Sequence, residues 1–139
     1  MPTFVAFHPW LTLGSYCDLL DMIERLDLVD CVAPIQLAIR LLLPRGSLLL
    51  THDAMRPHVG PFDPATLTYR WKHSDPRVDA LHAEVTAIVG MRLNADRRSV
   101  FEEVSALAHD RAGLPRARPG AGPARDRATI PYLNEPWYC

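Results

Sequence analysis

The sequence predicts an α/β fold, and three observations predict it. Phe4 to His8 is a β-branched and aromatic run closed by Pro9, which reads as a strand. A helix-periodic stretch follows from Thr12. Val32 to Leu43 then alternates, with Ile35, Leu37, Ile39, Leu41 and Leu43 on one face and Gln36, Ala38, Arg40 and Leu42 on the other. Strand, helix, strand is a βαβ unit whose crossover helix makes the two strands parallel. Parallel strands are normally covered on both faces, and two of them cannot supply that cover. The unit is therefore expected to be part of a larger sheet.

Each element has a local reason. Thr12 can accept from the first free amides of a helix, and Leu13, Tyr16, Leu19, Leu20, Ile23 and Leu26 recur at helical spacing behind it. Arg25 near its end suits the helix dipole. In the second strand, a helical reading would set Arg40 among isoleucine and leucine, whereas a strand gives it a polar face shared with Gln36. After Pro44, Gly46 makes a turn and Ser47 can cap a short helix through Leu50. From His52 to Trp71 the pattern is irregular, broken by Pro57, Pro61 and Pro64. Ser74 or Asp75 caps a second helix with Pro76 in its first turn, and Val78, Leu81, Val85, Ile88 and Val89 form its buried stripe. Arg97 to Ala112 is a third helix, with Val100, Phe101, Val104, Leu107 and Ala108 facing inward and Gly113 as its C-terminal cap. From Leu114 to Ala128 the chain is mostly Pro, Arg, Ala and Gly, too poor in apolar residues to offset about 1–2 kcal/mol of ordering per residue. It reads as a flexible linker.

Composition narrows the function classes. The chain has 139 residues, enough for one domain, and a formal net charge of −1, which gives no global attraction to nucleic acid or anionic lipid. Its longest apolar run, Leu41 to Leu50, is interrupted by Pro44, Arg45 and Gly46 and falls short of the ~20 residues of a membrane span. The start "MPTFVAFHPW" lacks a secretory pattern, so a cytoplasmic location is expected. Cys17, Cys31 and Cys139 are widely spaced and form neither a zinc-type pair nor an even disulfide framework.

Several groups are candidates for chemistry. Gln36 and Arg40 on one strand face could point into the lumen of a parallel barrel, where a guanidinium forks onto a carboxylate or phosphate; a structural ion pair is the plainer reading. His8 sits where a strand ends, at the catalytic rim of such a barrel, or is simply a loop histidine near Trp10. His52, Asp53 and His58 lie close in sequence, but their spacing fits no closed metal site, so no metal ligand is assigned. His73, His82 and His109 read as surface or boundary residues of helices, and Cys17 and Cys31 as inert filling. Arg111, Arg116, Arg118, Arg125 and Arg127 stand against one acid, Asp126, over residues 111–127. An RNA-binding arm would interleave aromatics, which this stretch lacks, so a solvated linker is the better reading.

Two turns and the tail carry a resemblance. "HPWLT" ends the first strand and "LLPRGSLL" the second. Pro9 and Thr12 match the first turn, and Pro44, Gly46, Ser47 and Leu49 the second, of a late barrel segment of radical S-adenosylmethionine enzymes, with Ser for the usual Thr. The similarity covers about residues 4–50. The tail "LNEPWYC", with "FVAFHPW" and "HSDPRVDAL", resembles one group of that superfamily whose proteins close on Cys-Cys-Ala-Glu-Pro or Cys-selenocysteine-Ala-Glu-Pro.

The resemblance implies a C-terminal fragment. Residues 1–50 would be part of a (β/α) barrel, 51–113 a helical extension, and 114–139 a linker and truncated redox tail. Selenocysteine is encoded by UGA; read as stop, that codon would end the chain on Cys139, which would then be the thiol half of a reversible thiol–selenol pair. The parent selenoprotein would use a [4Fe–4S] cluster to cleave S-adenosylmethionine reductively, the 5′-deoxyadenosyl radical acting on an unknown substrate. Gln36 and Arg40 would line the lumen on the cofactor side. The Cys-x3-Cys-x2-Cys motif that holds the cluster is absent from this sequence, so no metal ligand carries over, and the chain alone is expected to be inactive without the missing N-terminal part of the barrel as partner. The rival expectation is a complete small α/β binding protein without catalysis.

Overall fold

Thr12 opens the first helix by a reciprocal cap. Its Oγ1 accepts from the Ser15 amide at 3.0 Å, and Ser15 Oγ accepts from the Thr12 amide at 2.9 Å. Two of the amides a helix start leaves free are thereby satisfied, each worth about 1 kcal/mol. In the computed structural model this helix, α1, spans Leu13–Arg25, and the structure describes residues 3–92 and 95–116. Two further helices, α2 (Pro76–Met91) and α3 (Arg97–Ala112), and a hairpin of β1 (Val59–Asp63) with β2 (Thr68–Trp71), complete a mixed helix-and-strand fold. Asp75 caps α2 through the Arg77 amide at 3.0 Å, and Asp96 caps α3 through the Ser99 amide at 2.8 Å. Gly113 ends α3 at φ 66°, a left-handed conformation that a Cβ would disfavour. No helix among the described residues is long and apolar enough to cross a membrane.

The three helices share one core. Tyr16, Leu20, Leu81, Val85, Val100 and Val104 are fully buried around Phe7 and Leu37. Each such side chain contributes about 1.5–3 kcal/mol on burial. Tyr16 keeps its hydroxyl inside by donating to the Leu37 carbonyl at 2.8 Å, and burial pushes its ionisation well above the usual phenol range. His109, which the sequence suggested as a surface residue, is buried on α3. Its Nδ1–H donates to the Ser105 carbonyl at 2.8 Å, and its Nε2 stands 3.3 Å from Asp21 of α1.

Part of the expected βαβ unit is present. The Phe7 amide donates to the Ile39 carbonyl at 2.9 Å, and the Leu41 amide to the Phe7 carbonyl at 2.8 Å, a parallel bridge between Phe7 and Arg40. The continuous strand expected over Val32–Leu43 is not. Val29–Cys31 and Pro34–Ala38 form 3₁₀ turns, and within the segment only Arg40 forms a bridge to the first strand segment. Pro34 has no amide for a ladder, and the Gln36 amide instead closes a local turn on the Ala33 carbonyl at 2.9 Å. A chain offered one parallel neighbour over a single residue gains more from such local bonds than from remaining extended.

The stretch His52–Trp71, irregular by pattern, holds the hairpin within the segment expected to be helical extension. Its pairing is antiparallel, Phe62 opposite Tyr69, with an irregularity between Val59 and Phe62. Pro61 falls in that irregularity and is exposed, where a missing amide costs no ladder bond. Gly60 suits this position, because a Cβ would lie tightly, 3.2 Å, against the Arg70 carbonyl oxygen. The hairpin covers a second, smaller core of Leu43, Met55 and Trp71, and the Tyr69 amide joins it to the Leu43 carbonyl at 2.8 Å.

Candidate functional site

Arg40 stands where the two cores meet. Its guanidinium lies over the Trp71 ring, 3.7 Å from the centroid, and its Nη2 donates to the Trp71 carbonyl at 2.8 Å. Its Nη1 approaches Asp79 Oδ1 at 2.9 Å. That approach is a charge contact and not an aligned hydrogen bond, because Asp79 Oδ1 has no hydrogen-bond donor among the described residues. Asp79 lies in the first turn of α2, where a carboxylate suits the helix dipole, and its Oδ2 accepts from the His73 amide at 3.0 Å. Trp71 is fixed in turn by its Nε1–H, which donates to the Leu41 carbonyl at 2.7 Å. A parallel segment, a hairpin strand and a helix start are thus tied through one side chain.

Histidines surround this tie. His82 of α2 packs its ring edge-on against Phe7, 4.8 Å between centroids, with Nε2 at 3.2 Å from the Ala38 carbonyl. Burial, and then the Arg40 charge, hold His82 below the usual imidazole range. His8 follows Phe7 and is held low by burial and then by His73. The His73 Nδ1 lies 2.9 Å from the Asp75 amide nitrogen and 3.1 Å from the Asp75 carbonyl oxygen. The His73 Nε2 and the His8 Nδ1 are both buried without a hydrogen-bond partner among the described residues. His8, whose ring is 6.0 Å from that of Trp10, is therefore more than a solvated loop residue: the fold places it in electrostatic reach of a histidine 65 positions on.

The other candidates do not converge here. Gln36 shares no strand face with Arg40; it is 4% exposed in its 3₁₀ turn, and its Oε1 accepts from the Ala33 amide at 3.2 Å. His52 Nδ1 accepts from the Ala54 amide at 3.3 Å, Asp53 faces Arg56 at 3.4 Å, and His58 Nδ1 contacts the Lys72 carbonyl at 3.1 Å. No group of three or more His, Cys, Asp or Glu among the described residues is arranged to hold a metal ion. Cys17 is buried, and burial followed by the charges of Asp21 and Asp18 pushes its thiol up to about 11, the opposite of a reactive thiolate. Cys31 is half-buried. Cys139 lies outside the described residues, as do Arg118, Arg125 and Arg127. Arg111 is spent on Glu84 and Asp110 at 2.8 and 3.0 Å.

Sequence reasoning missed Trp71 and Asp79 as partners of Arg40, and His73 as a partner of Asp79. The available signal was a tryptophan and a histidine leading into the capped start of α2, "WKHSDPRVD", which marks a junction without naming its counterpart. A cleft of about 400 Å³ opens beside the tie, with Arg40, Leu42, Thr68, Arg70, Trp71 and His82 among its lining residues. A scan against protein-family models finds no match to this chain, and searches of curated proteins and of solved structures find none either.

Proposed function

We propose that this chain is the C-terminal part of a radical S-adenosylmethionine protein, with residues 1–50 supplying a strand–helix–strand portion of its (β/α) barrel. The observation that carries the reading is the parallel bridge between Phe7 and Arg40 across α1. A parallel pair joined by a helix is the repeating unit of such barrels, and it sets His8 and Arg40 near the carboxyl ends of their segments, the end at which barrel enzymes do chemistry. The turns at Pro9–Thr12 and Pro44–Leu49, and the tail, supply the family.

The described residues do not fit the iron–sulfur cluster. Their two cysteines lie on different elements and one is buried, so the cluster and the radical chemistry belong to the rest of the parent protein. Within this reading Arg40 is the lumen-side cation, while Gln36 is engaged in its own turn. The coding DNA tests the proposal. An adjoining upstream frame with Cys-x3-Cys-x2-Cys, and UGA followed by Ala-Glu-Pro codons after Cys139, are expected. Unrelated upstream sequence together with a different stop codon would defeat the proposal.

A second reading, a small binding module that works as it stands, is favoured by the closure of Arg40 on groups of its own chain. It requires a cooperative, soluble chain. A broad, non-cooperative urea transition that binds a hydrophobic dye would rule it out.

A further inference from the structure

The cleft beside Arg40 has a chemistry of its own. Two guanidiniums, Arg40 and Arg70, line it against one carboxylate, Asp63. Its volume of about 400 Å³ suits a small organic molecule. Arg40 is held by a ring face, a carbonyl and a carboxylate, so little ordering cost remains for a ligand that meets it. Its Nη1 and Nη2 are engaged, and its Nε–H has no partner among the described residues. Arg70 commits Nε and Nη2 to Asp63 Oδ2 at 3.1 and 2.7 Å and leaves both protons of Nη1 unused. Its side chain is 74% exposed, and it is free to adjust. Beside these donors stands Leu42, 68% exposed, an apolar wall of the cleft.

Donors from two arginines beside an exposed leucine describe a receptor for an oxyanion attached to an apolar body. Both guanidiniums already show the ligand type they favour, since each is paired with a carboxylate. We propose that this cleft binds a small carboxylate with a compact apolar body, its oxygens taken by Arg40 Nε–H and Arg70 Nη1–H and its body lying on Leu42. The inference rests on the cleft alone and holds under either functional reading above.

The experiment titrates the full 139-residue chain with benzoate and with inorganic phosphate, following backbone amide NMR shifts. Benzoate is expected to give saturable shifts at Leu42, Thr68 and Arg70 with a Kd on the order of 1 mM. Arg70→Gln should weaken it at least about fivefold, because one of two charge-assisted donors is lost. Arg40→Lys, which keeps the charge but not the fork, should weaken it further. Arg92→Gln, remote from the cleft, should leave it unchanged. If Arg40→Lys fails to fold, the exposed Arg70 position carries the test. No saturable shift up to about 20 mM benzoate, phosphate binding as tightly as benzoate, or unaltered affinity in Arg70→Gln would each overturn the assignment.

Discussion

The helical core and the hairpin lobe hold together by different means. In the first, Phe7, Tyr16, Leu20, Leu81, Val85, Val100 and Val104 are buried almost completely, and three capped helices surround them. In the second, three buried side chains, Leu43, Met55 and Trp71, belong to a hairpin lobe of nine strand residues that could not stand alone. Tyr69 to Leu43 and Trp71 to Leu41 hold the lobe to its own small core, and Arg40 ties it to the helical core through Trp71 and Asp79. A large apolar core tolerates small errors of geometry, whereas a lobe held by a few directional bonds depends on each of them.

The sharpest way to break this contrast is at Phe7, which belongs to the large core and makes the parallel bridge. Phe7→Ala should cost about 3–5 kcal/mol, measured as the free energy of urea unfolding. A loss under about 1 kcal/mol would mean that the helices close without the strand segment. Arg40→Met comes next. The pair it breaks is partly exposed, at 23% and 31% of the two side chains, so the electrostatic loss is modest, about 1 kcal/mol. The effect should be local. Hydrogen exchange of β2 amides should accelerate while α1 and α3 amides keep their protection. Uniform acceleration across both regions would show that the lobe and the core unfold as one.

The same contrast decides what the sequence made legible. All three helices announce themselves, because a helix is written in its own segment: Thr12, Asp75 and Asp96 cap, the apolar residues recur at helical spacing, and Gly113 stops. Most of the expected stripe residues are buried, Leu19, Ile88 and Leu107 are half-buried, and Leu26 at the end of the first stripe is exposed. The alternation of Val32–Leu43 misled because it encodes a preference that a ladder must confirm, and at most positions no partner strand is present. The hairpin was hidden by Pro61 and Pro64, which mimic a loop until the irregularity that accommodates Pro61 is seen. Arg40 was legible as a cation needing an anion. Asp79, 39 positions later, was not, because nothing local links the two.

Acid should weaken the junction before it weakens the helices. His8 and His82 are both held below their ordinary value of 6.5 in the folded chain, chiefly by burial. The folded state then binds fewer protons than the unfolded state below that value. The stability it gains from neutral histidines is complete above about pH 6.5 and is lost as the pH falls further. The midpoint of thermal unfolding should therefore drop between about pH 7 and pH 5.5, and His8→Gln combined with His82→Gln should flatten that slope. An unchanged slope in the double variant would assign the acid sensitivity to other groups.

The smallest effect lies at the tip of the hairpin. Leu67 adopts φ 57°, the left-handed region, with its side chain 67% exposed. A leucine there carries a steric cost of about 1–2 kcal/mol that glycine avoids, less the 0.5–1 kcal/mol or so that glycine loses in chain entropy. Leu67→Gly should thus raise stability by about 0.5 kcal/mol, and because little burial is sacrificed the gain should survive in the thermal midpoint. It should also slow exchange of the β1 and β2 amides while leaving those of α1 unchanged. If Leu67→Gly instead destabilises the chain, the exposed leucine must be packing on something, and the apolar surface of the hairpin lobe is then a contact surface.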